Sequence, residues 1–210
     1  MFFLRLLLII HLLFLLYCSP PSSGFSAKRL YIADGFNERT LSGFSIGLGP
    51  VLTYQGVDII DSLNSDEIYK NIKSIRPDLR LISFNQIKRQ LITKSGKYWC
   101  DTLFLQLYNE KTLKLQLLDS LWQLMPYDFF MIIRVKDAMS IKTFDNIHKK
   151  RIRLEAELWN RKDQEAVWRI EVHSVANGKI VSDKQIINKS VLKIYEELPK
   201  TAPSYESGKW

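Results

Sequence analysis

Hydrophobic and polar positions along this 210-residue chain change period several times, and each change marks a predicted element. Leu6–Tyr17 is apolar throughout, interrupted only by His11. Ala27–Gly43 shows no clean period and reads as a segment wrapping the domain edge. Phe44, Ile46 and Leu48 then fall on one face of an alternating run, followed by Val51 and Leu52 beyond Pro50, which predicts a strand bent or ended by the proline. Ile68, Ile72 and Ile75 recur at helical spacing behind an Asn64–Glu67 capping arrangement, and that helix must stop before Pro77. A short apolar run, Leu79–Phe84, reads as a second strand. Asn85 opens a helix with Ile87 and Leu91 facing inward, ended by Gly96. Two more stripes follow, one with Leu103, Phe104, Leu107 and Tyr108, the other with Leu117, Leu118, Leu121, Leu124 and Met125. Polar Asn109–Thr112 separates them and Pro126 closes the second.

The C-terminal half switches to period two. Phe129, Met131, Ile133 and Val135 alternate with Phe130, Ile132 and Arg134, the signature of a central strand covered on both faces. Ile152, Leu154, Ala156 and Leu158 alternate with Arg151, Arg153, Glu155 and Glu157, a half-buried strand with one wet, charged face. Across a polar turn at Asn160–Glu165, Trp168, Ile170 and Val172 alternate with Arg169, Glu171 and His173. Asp183–Leu198 reads as a terminal helix and Thr201–Trp210 as a loose tail. This order predicts an α/β fold: a two-layer sandwich of a mixed sheet with helices, ending in a C-terminal antiparallel meander. The expected organisation is a signal peptide at 1–17, a lipidated Cys, tether and edge segment at 18–43, one α/β domain at 44–198, and a flexible tail at 199–210.

The leading apolar segment is shorter than the roughly 20 residues a helix needs to span a bilayer, and Cys18-Ser19-Pro20-Pro21 ends it abruptly. Arg5 supplies the basic start of a secretory signal peptide. Leu15-Leu16-Tyr17-Cys18 resembles a bacterial lipobox, in which the Cys after the cut receives a diacylglycerol; it departs from the usual pattern at Tyr17, where a small residue is usual. The resemblance makes Cys18 the lipidation site, with Ser19–Ser26 as a polar tether. The same residues also fit an ordinary signal peptide cut near Ser23–Ala27, or an uncleaved N-terminal anchor. The one other thiol, Cys100, has no neighbouring cation and reads as a buried, inert core residue.

The stretches Tyr127–Arg134, Arg151–Asn160 and Ala166–Glu171 resemble a scheme found in bacterial envelope lipoproteins. It is similar to the curli-secretion lipoprotein, the penicillin-binding-protein activator lipoprotein and the N-terminal domain of the Tol-Pal translocation protein. The resemblance implies an α/β domain with a mixed sheet, a lipid-anchored place in the envelope (the outer membrane, facing the periplasm) and an envelope protein as partner. These families have no shared catalytic centre to carry over, and the long strands of the curli pore are not evident in this chain.

Composition narrows the chemistry. Thirty Lys and Arg against 22 Asp and Glu give a net charge of +8, while two Cys and three His exclude a disulfide scaffold and a His-rich metal site. Gly43–Gly49 lacks the order of a nucleotide-binding loop and reads as a strand with glycines for close packing or a bulge. Neither His148 nor His173 has a second ligand at i+2 or i+4, and no G-x-S-x-G elbow nominates a nucleophilic serine. No cofactor, metal or catalytic residue is therefore assigned. The cluster His148–Arg153 offers Lys149, Lys150, Arg151 and Arg153 to an anionic surface or an acidic partner. Nucleic acid is not expected, because no aromatic interleaves with these cations. Trp168 reads as core, whereas Trp159, on the charged parity, is the candidate, partially exposed anchor for a partner. The reading that follows is a non-enzymatic, membrane-anchored envelope lipoprotein engaged in protein interaction or assembly, of open oligomeric state. Its alternatives are an exported hydrolase acting on an envelope polymer, which would need a cleft with two carboxylates, and a small-ligand carrier, which would need a sizeable apolar pocket.

Overall fold

The computed structural model describes residues 23–41, 43–53, 66–109, 115–142, 148–177 and 182–200. Cys18, the signal-peptide segment, Asn64 and the 201–210 tail lie outside the described residues. The elements are β1 (Ser23–Ile32), α1 (Glu38–Leu41), β2 (Ser45–Leu52), α2 (Asp66–Ile75), β3 (Arg80–Ile82), α3 (Phe84–Ser95), α4 (Lys97–Asn109), α5 (Leu115–Leu124), β4 (Phe129–Lys142), β5 (His148–Asn160), β6 (Glu165–Asn177) and α6 (Asp183–Glu196). Six strands form one mixed sheet in the order β1-β6-β5-β4-β2-β3. The pairs β2/β3 and β2/β4 are parallel, whereas β4/β5, β5/β6 and β6/β1 are antiparallel. The expected α/β fold, a mixed sheet with helices and a C-terminal meander, is therefore the fold; helices pack on both faces of the sheet, which lies between them rather than forming one of two layers.

On one face Met131, Ile133, Leu154, Ala156, Trp168, Ile170 and Val172 meet Ile68 and Ile72 of α2 and Ile187, Val191 and Ile194 of α6 in one buried cluster. On the other, Phe130, Ile132 and Trp159 meet Ile87 and Leu91 of α3, Cys100, Leu103 and Leu107 of α4, and Leu121 and Trp122 of α5. The alternation along β4 is thus buried on both sides, as a central strand requires. Cys100 is fully buried.

Local chemistry explains the boundaries. Ser83, not Asn85, caps α3: its hydroxyl accepts from the Gln86 N–H, and Gly96 closes the helix at φ 83°. At the start of α6, Ser182 and Gln185 form a capping box, each side chain bonded to the other's backbone N–H. Glycines in β2 serve close packing, as read from the sequence. A Cβ on Gly49 would stand 2.2 Å from the Met131 carbonyl oxygen, and one on Gly47 would stand 2.9 Å from the Tyr127 ring.

Three expectations are corrected. The segment Ala27–Gly43, read as aperiodic, begins inside the edge strand β1, which pairs with β6 from Ser23↔Ala176 to Ile32↔Trp168 with one irregularity between Arg29 and Tyr31. Ser23–Ser26 are therefore strand rather than tether. The pairing partner supplies the order that a run such as Ser-Gly-Phe-Ser-Ala-Lys does not show by itself. Phe44, grouped with Ile46 and Leu48, precedes β2 and stands 46% exposed.

Candidate functional site

The helices α3, α4 and α5 cover only part of their face of the sheet. Along β5, side chains of this face run in the order Trp159, Glu157, Glu155, Arg153, Arg151 and Lys149, because alternate residues of a strand share a face. Trp159 and Glu157 are buried, Glu155 and Lys149 are half-buried, and Arg153 and Arg151 are exposed. The face is therefore dry at one end and open at the other, and a row of ions marks the boundary.

That boundary row is built on Glu157. The Arg134 Nη1 donates to Glu157 Oε2 at 2.9 Å, and the Trp159 indole N–H donates to the same oxygen at 3.2 Å. Arg169 approaches Glu157 Oε1 at 2.8 Å from β6. Arg134 also donates from Nε to the Leu107 carbonyl at 3.4 Å, tying the sheet to the end of α4. Two guanidinium groups and an indole N–H compensate one buried carboxylate, which is what keeps such a charge tolerable away from water.

Beyond this row no described element covers the sheet. The open face carries Glu155, Arg153, Arg151 and Lys149 of β5, Asp137, Met139 and Ile141 of β4, Glu171, His173, Val175 and Asn177 of β6, and Lys28 of β1. Two of its three carboxylates, Glu155 and Glu171, are engaged. Lys136 pairs with Glu155 at 3.2 Å, and Glu171 accepts from His173 at 2.5 Å with Arg153 at 3.9 Å. No described residue forms an ion pair with Arg151 or Lys149. Met139 and Ile141, 49% and 38% exposed, stand opposite Arg151 and Lys149 in the β4/β5 register. A shallow hollow of about 340 Å³ lies here, lined by Asp137, Met139, Arg151, Arg153, His173 and Val175.

The five residues nominated from the sequence therefore do not form one site. Lys149, Arg151 and Arg153 share the open face. Lys150 points to the opposite face, where it pairs with Asp183 of α6 at 2.7 Å. Trp159, expected to be partially exposed, is 9% exposed and belongs to the core under α3, α4 and α5. Its parity was right, but the helices that cover this end of the charged face come from residues 84–124. The expectation of a wholly wet charged face fails at Glu157 for the same reason.

A second feature was missed in the sequence. The outer edge of β1 pairs with no described strand, and the register shifts between Arg29 and Tyr31. Around that irregularity Leu30, Tyr31 and Ile32 are 42%, 46% and 41% exposed. Three consecutive exposed apolar residues at an unpaired strand edge form a surface that a soluble chain ordinarily avoids. The only signal in the sequence was the triplet Leu-Tyr-Ile inside a segment without a period.

Other chemistry is sparse. Among the described residues no three of His, Cys, Asp and Glu come together to hold a metal, and no helix is long and apolar enough to cross a membrane. The apolar pocket between β2, α2 and α6, lined by Leu48, Val51, Ile68, Tyr69, Ile133 and Tyr195, has room of about 20 Å³, about that of one water.

No protein-family model matches the chain, and no curated protein matches it. Solved structures with a similar arrangement include the lipoprotein GNA1162 of Neisseria meningitidis, 12% identical over 72% of this chain and 94% of that one, with a TM-score of 0.48. The PelC dodecamer of Paraburkholderia phytofirmans is 8% identical over 85% and 99%, with a TM-score of 0.42. The LpoB C-terminal domain of Salmonella enterica is 11% identical over 67% and 86%, with a TM-score of 0.39. At these values the likeness concerns the arrangement of the chain alone, and neither activity nor partner follows from it.

Proposed function

We propose that this chain is a non-enzymatic lipoprotein of the bacterial envelope, anchored through an acylated Cys18 and facing the periplasm from the outer membrane, whose domain binds another envelope protein. One observation carries the anchor: the apolar segment ends at a cysteine only five residues before the first paired residue of the sheet, Ser23. A cut before Cys18 spares all of β1. An ordinary cut near Ser23–Ala27 removes up to four residues whose register partners in β6 run from Ala176 to His173. Losing them would shorten an edge strand that holds one side of the buried meander.

The surface best suited to a protein partner is the β1 edge. An extended segment of another protein can add to its free backbone N–H and C=O groups while covering Leu30, Tyr31 and Ile32. A hydrolase finds less support, because Glu155 and Glu171, although opposite each other in the β5/β6 register, are each held by cations, as is the buried Glu157. A small-ligand carrier finds less support too, because the apolar pocket between β2, α2 and α6 holds about 20 Å³ and the hollow of about 340 Å³ on the open face is shallow and lined by the charged side chains of Asp137, Arg151 and Arg153.

The test is intact mass and Triton X-114 partitioning of the chain expressed in a lipoprotein-competent bacterium, beside Cys18→Ala. An acylated mass and detergent partitioning that both vanish in the variant support the anchor. A soluble chain cut downstream of Cys18 overturns it. A photo-crosslinker at Tyr31 should then capture a discrete protein adduct that is lost when Leu30 and Ile32 are changed to serine; an unaltered adduct pattern removes the β1 edge from the proposal.

A further inference from the structure

The antiparallel register places the anchored end of the chain beside the basic end of the open sheet face. Ser23, where β1 begins, pairs with Ala176, and Ala176 pairs on its other side with Lys150. Lys149 pairs with Asn177, and β4 finishes next to them at Lys142. Five chain steps separate Cys18 from Ser23, a reach of at most about 18 Å even when fully extended. Whatever membrane holds Cys18 is therefore close to Lys149, Arg151, Met139 and Ile141.

Charge at this end is one-sided. Lys149, Lys150, Arg151 and Lys184 stand there against two carboxylates, Asp183, which Lys150 already engages, and Asp137, which lines the hollow beside Arg151 and opposite Arg153. Lys149 and Arg151 have no ion-pair partner among the described residues, and each lies opposite an exposed apolar side chain. Cations flanking apolar side chains match the boundary between lipid headgroups and acyl chains, where long basic side chains keep their charge at phosphate level while the apolar neighbours go deeper.

We propose that this end of the sheet docks onto the anionic lipid headgroups of the membrane that anchors the chain, orienting the domain so that the exposed Leu30–Ile32 segment points away from the bilayer. The inference rests on the anchor at Cys18 proposed above. Headgroup attraction extends only about a Debye length, roughly 8 Å at physiological salt, so the short tether is what makes these few cations sufficient. A soluble acidic protein could also meet such a patch, but neither the tether length nor the position of Met139 and Ile141 favours it.

The test uses the full chain, isolated from membranes of the expressing bacterium and reconstituted into phosphatidylcholine vesicles with or without phosphatidylglycerol. Flotation reports the anchor. Amine acetylation followed by mass spectrometry reports the orientation through Lys149 and Lys184, with Lys162, in the turn at the far end of the sheet, as the internal control. The expected result is at least fivefold slower labelling of Lys149 and Lys184 in anionic vesicles, no change at Lys162, and loss of the difference at high salt. Arg151→Gln, a surface change, should reduce the protection of Lys149 about fivefold. A chain that floats but labels equally in both vesicles overturns the docking and leaves the anchor standing. Protection that is already complete in uncharged vesicles means that protein, not lipid, covers the face, and also overturns it. A chain that does not float overturns both proposals.

Discussion

Arg134 reaches diagonally across β4 and β5 to Glu157, at 2.9 Å, rather than to Glu155, the residue opposite it in the register. Glu155 is taken instead by Lys136 at 3.2 Å. Both side chains of the Arg134–Glu157 pair are 5% exposed, so Arg134 depends on Glu157 for its ionic compensation, whereas Glu157 also has Arg169 and the Trp159 indole N–H. Removing one partner of a buried pair generally costs about 3–5 kcal/mol, whereas replacing both by apolar groups of similar size is often neutral. Arg134→Met should lose stability on that scale in urea denaturation, and adding Glu157→Leu should restore most of it, since Arg169 can turn to water. Equal stability of the single and double variants would remove the coupling.

Arg76 performs a different task with a buried guanidinium. Its Nη1 donates to the carbonyls of Tyr195 and Leu198 at 2.9 and 3.0 Å, its Nη2 donates to Pro199 at 2.8 Å, and Asp78 accepts from the opposite edge. These are carbonyls that the end of α6 would otherwise leave without donors. Arg76→Lys should cost about 3 kcal/mol, because an ammonium cannot reproduce the planar fork. Hydrogen exchange should show the last turn of α6 opening in that variant while β4 stays protected.

At Gly49 the limit is space. With the Met131 carbonyl 2.2 Å from where a Cβ would sit, Gly49→Ala must push β2 away from β4. The expected loss in thermal or urea denaturation is about 1–3 kcal/mol or more. Gly24→Ala is the control, since nothing lies within 4 Å of its added carbon, and it should fall within about 0.5 kcal/mol of wild type.

Acid should loosen the junction of α6 with β1 through Glu197. A hydrogen bond from Lys193 holds this carboxyl below its ordinary value against the opposing effect of partial burial, with the charges of Lys193 and Arg29 adding to it. The ionised form is therefore the one that stabilises the fold. Its contribution is present above the ordinary carboxylate value of 4.5 and is lost as pH falls through the lower folded value. Carboxyl NMR should find Glu197 titrating below 4.5, and Glu197→Gln should flatten the acid limb of the stability profile by less than about 1 kcal/mol, since the pair is partly solvated. A Glu197 titration at or above 4.5 would refute this.

Period and punctuation in the sequence determined most of the elements. The helix from Asp66 ends before Pro77, Gly96 closes α3, and the two-sided alternation from Phe129 identifies a strand buried on both faces. Those signals are local, because a helix or strand must place its apolar side chains on the face that will be covered. The crowded glycines of β2 were legible on the same grounds.

Only the tertiary structure decided which part of a face is wet. Alternation assigns Trp159, Glu157, Arg153 and Lys149 to one side of β5, but it cannot say that α3, α4 and α5 cover the first two and leave the others open. That depends on elements far away in the chain, whose reach across the sheet no local pattern encodes. The edge strand β1 was hidden for a related reason: its order comes from the ladder with β6, and backbone pairing leaves little mark on side-chain periodicity. The antiparallel register likewise carries the start of the chain's paired region back to Lys149 and Lys150, more than a hundred residues away in sequence, and so places Ser23 beside the basic end of the sheet.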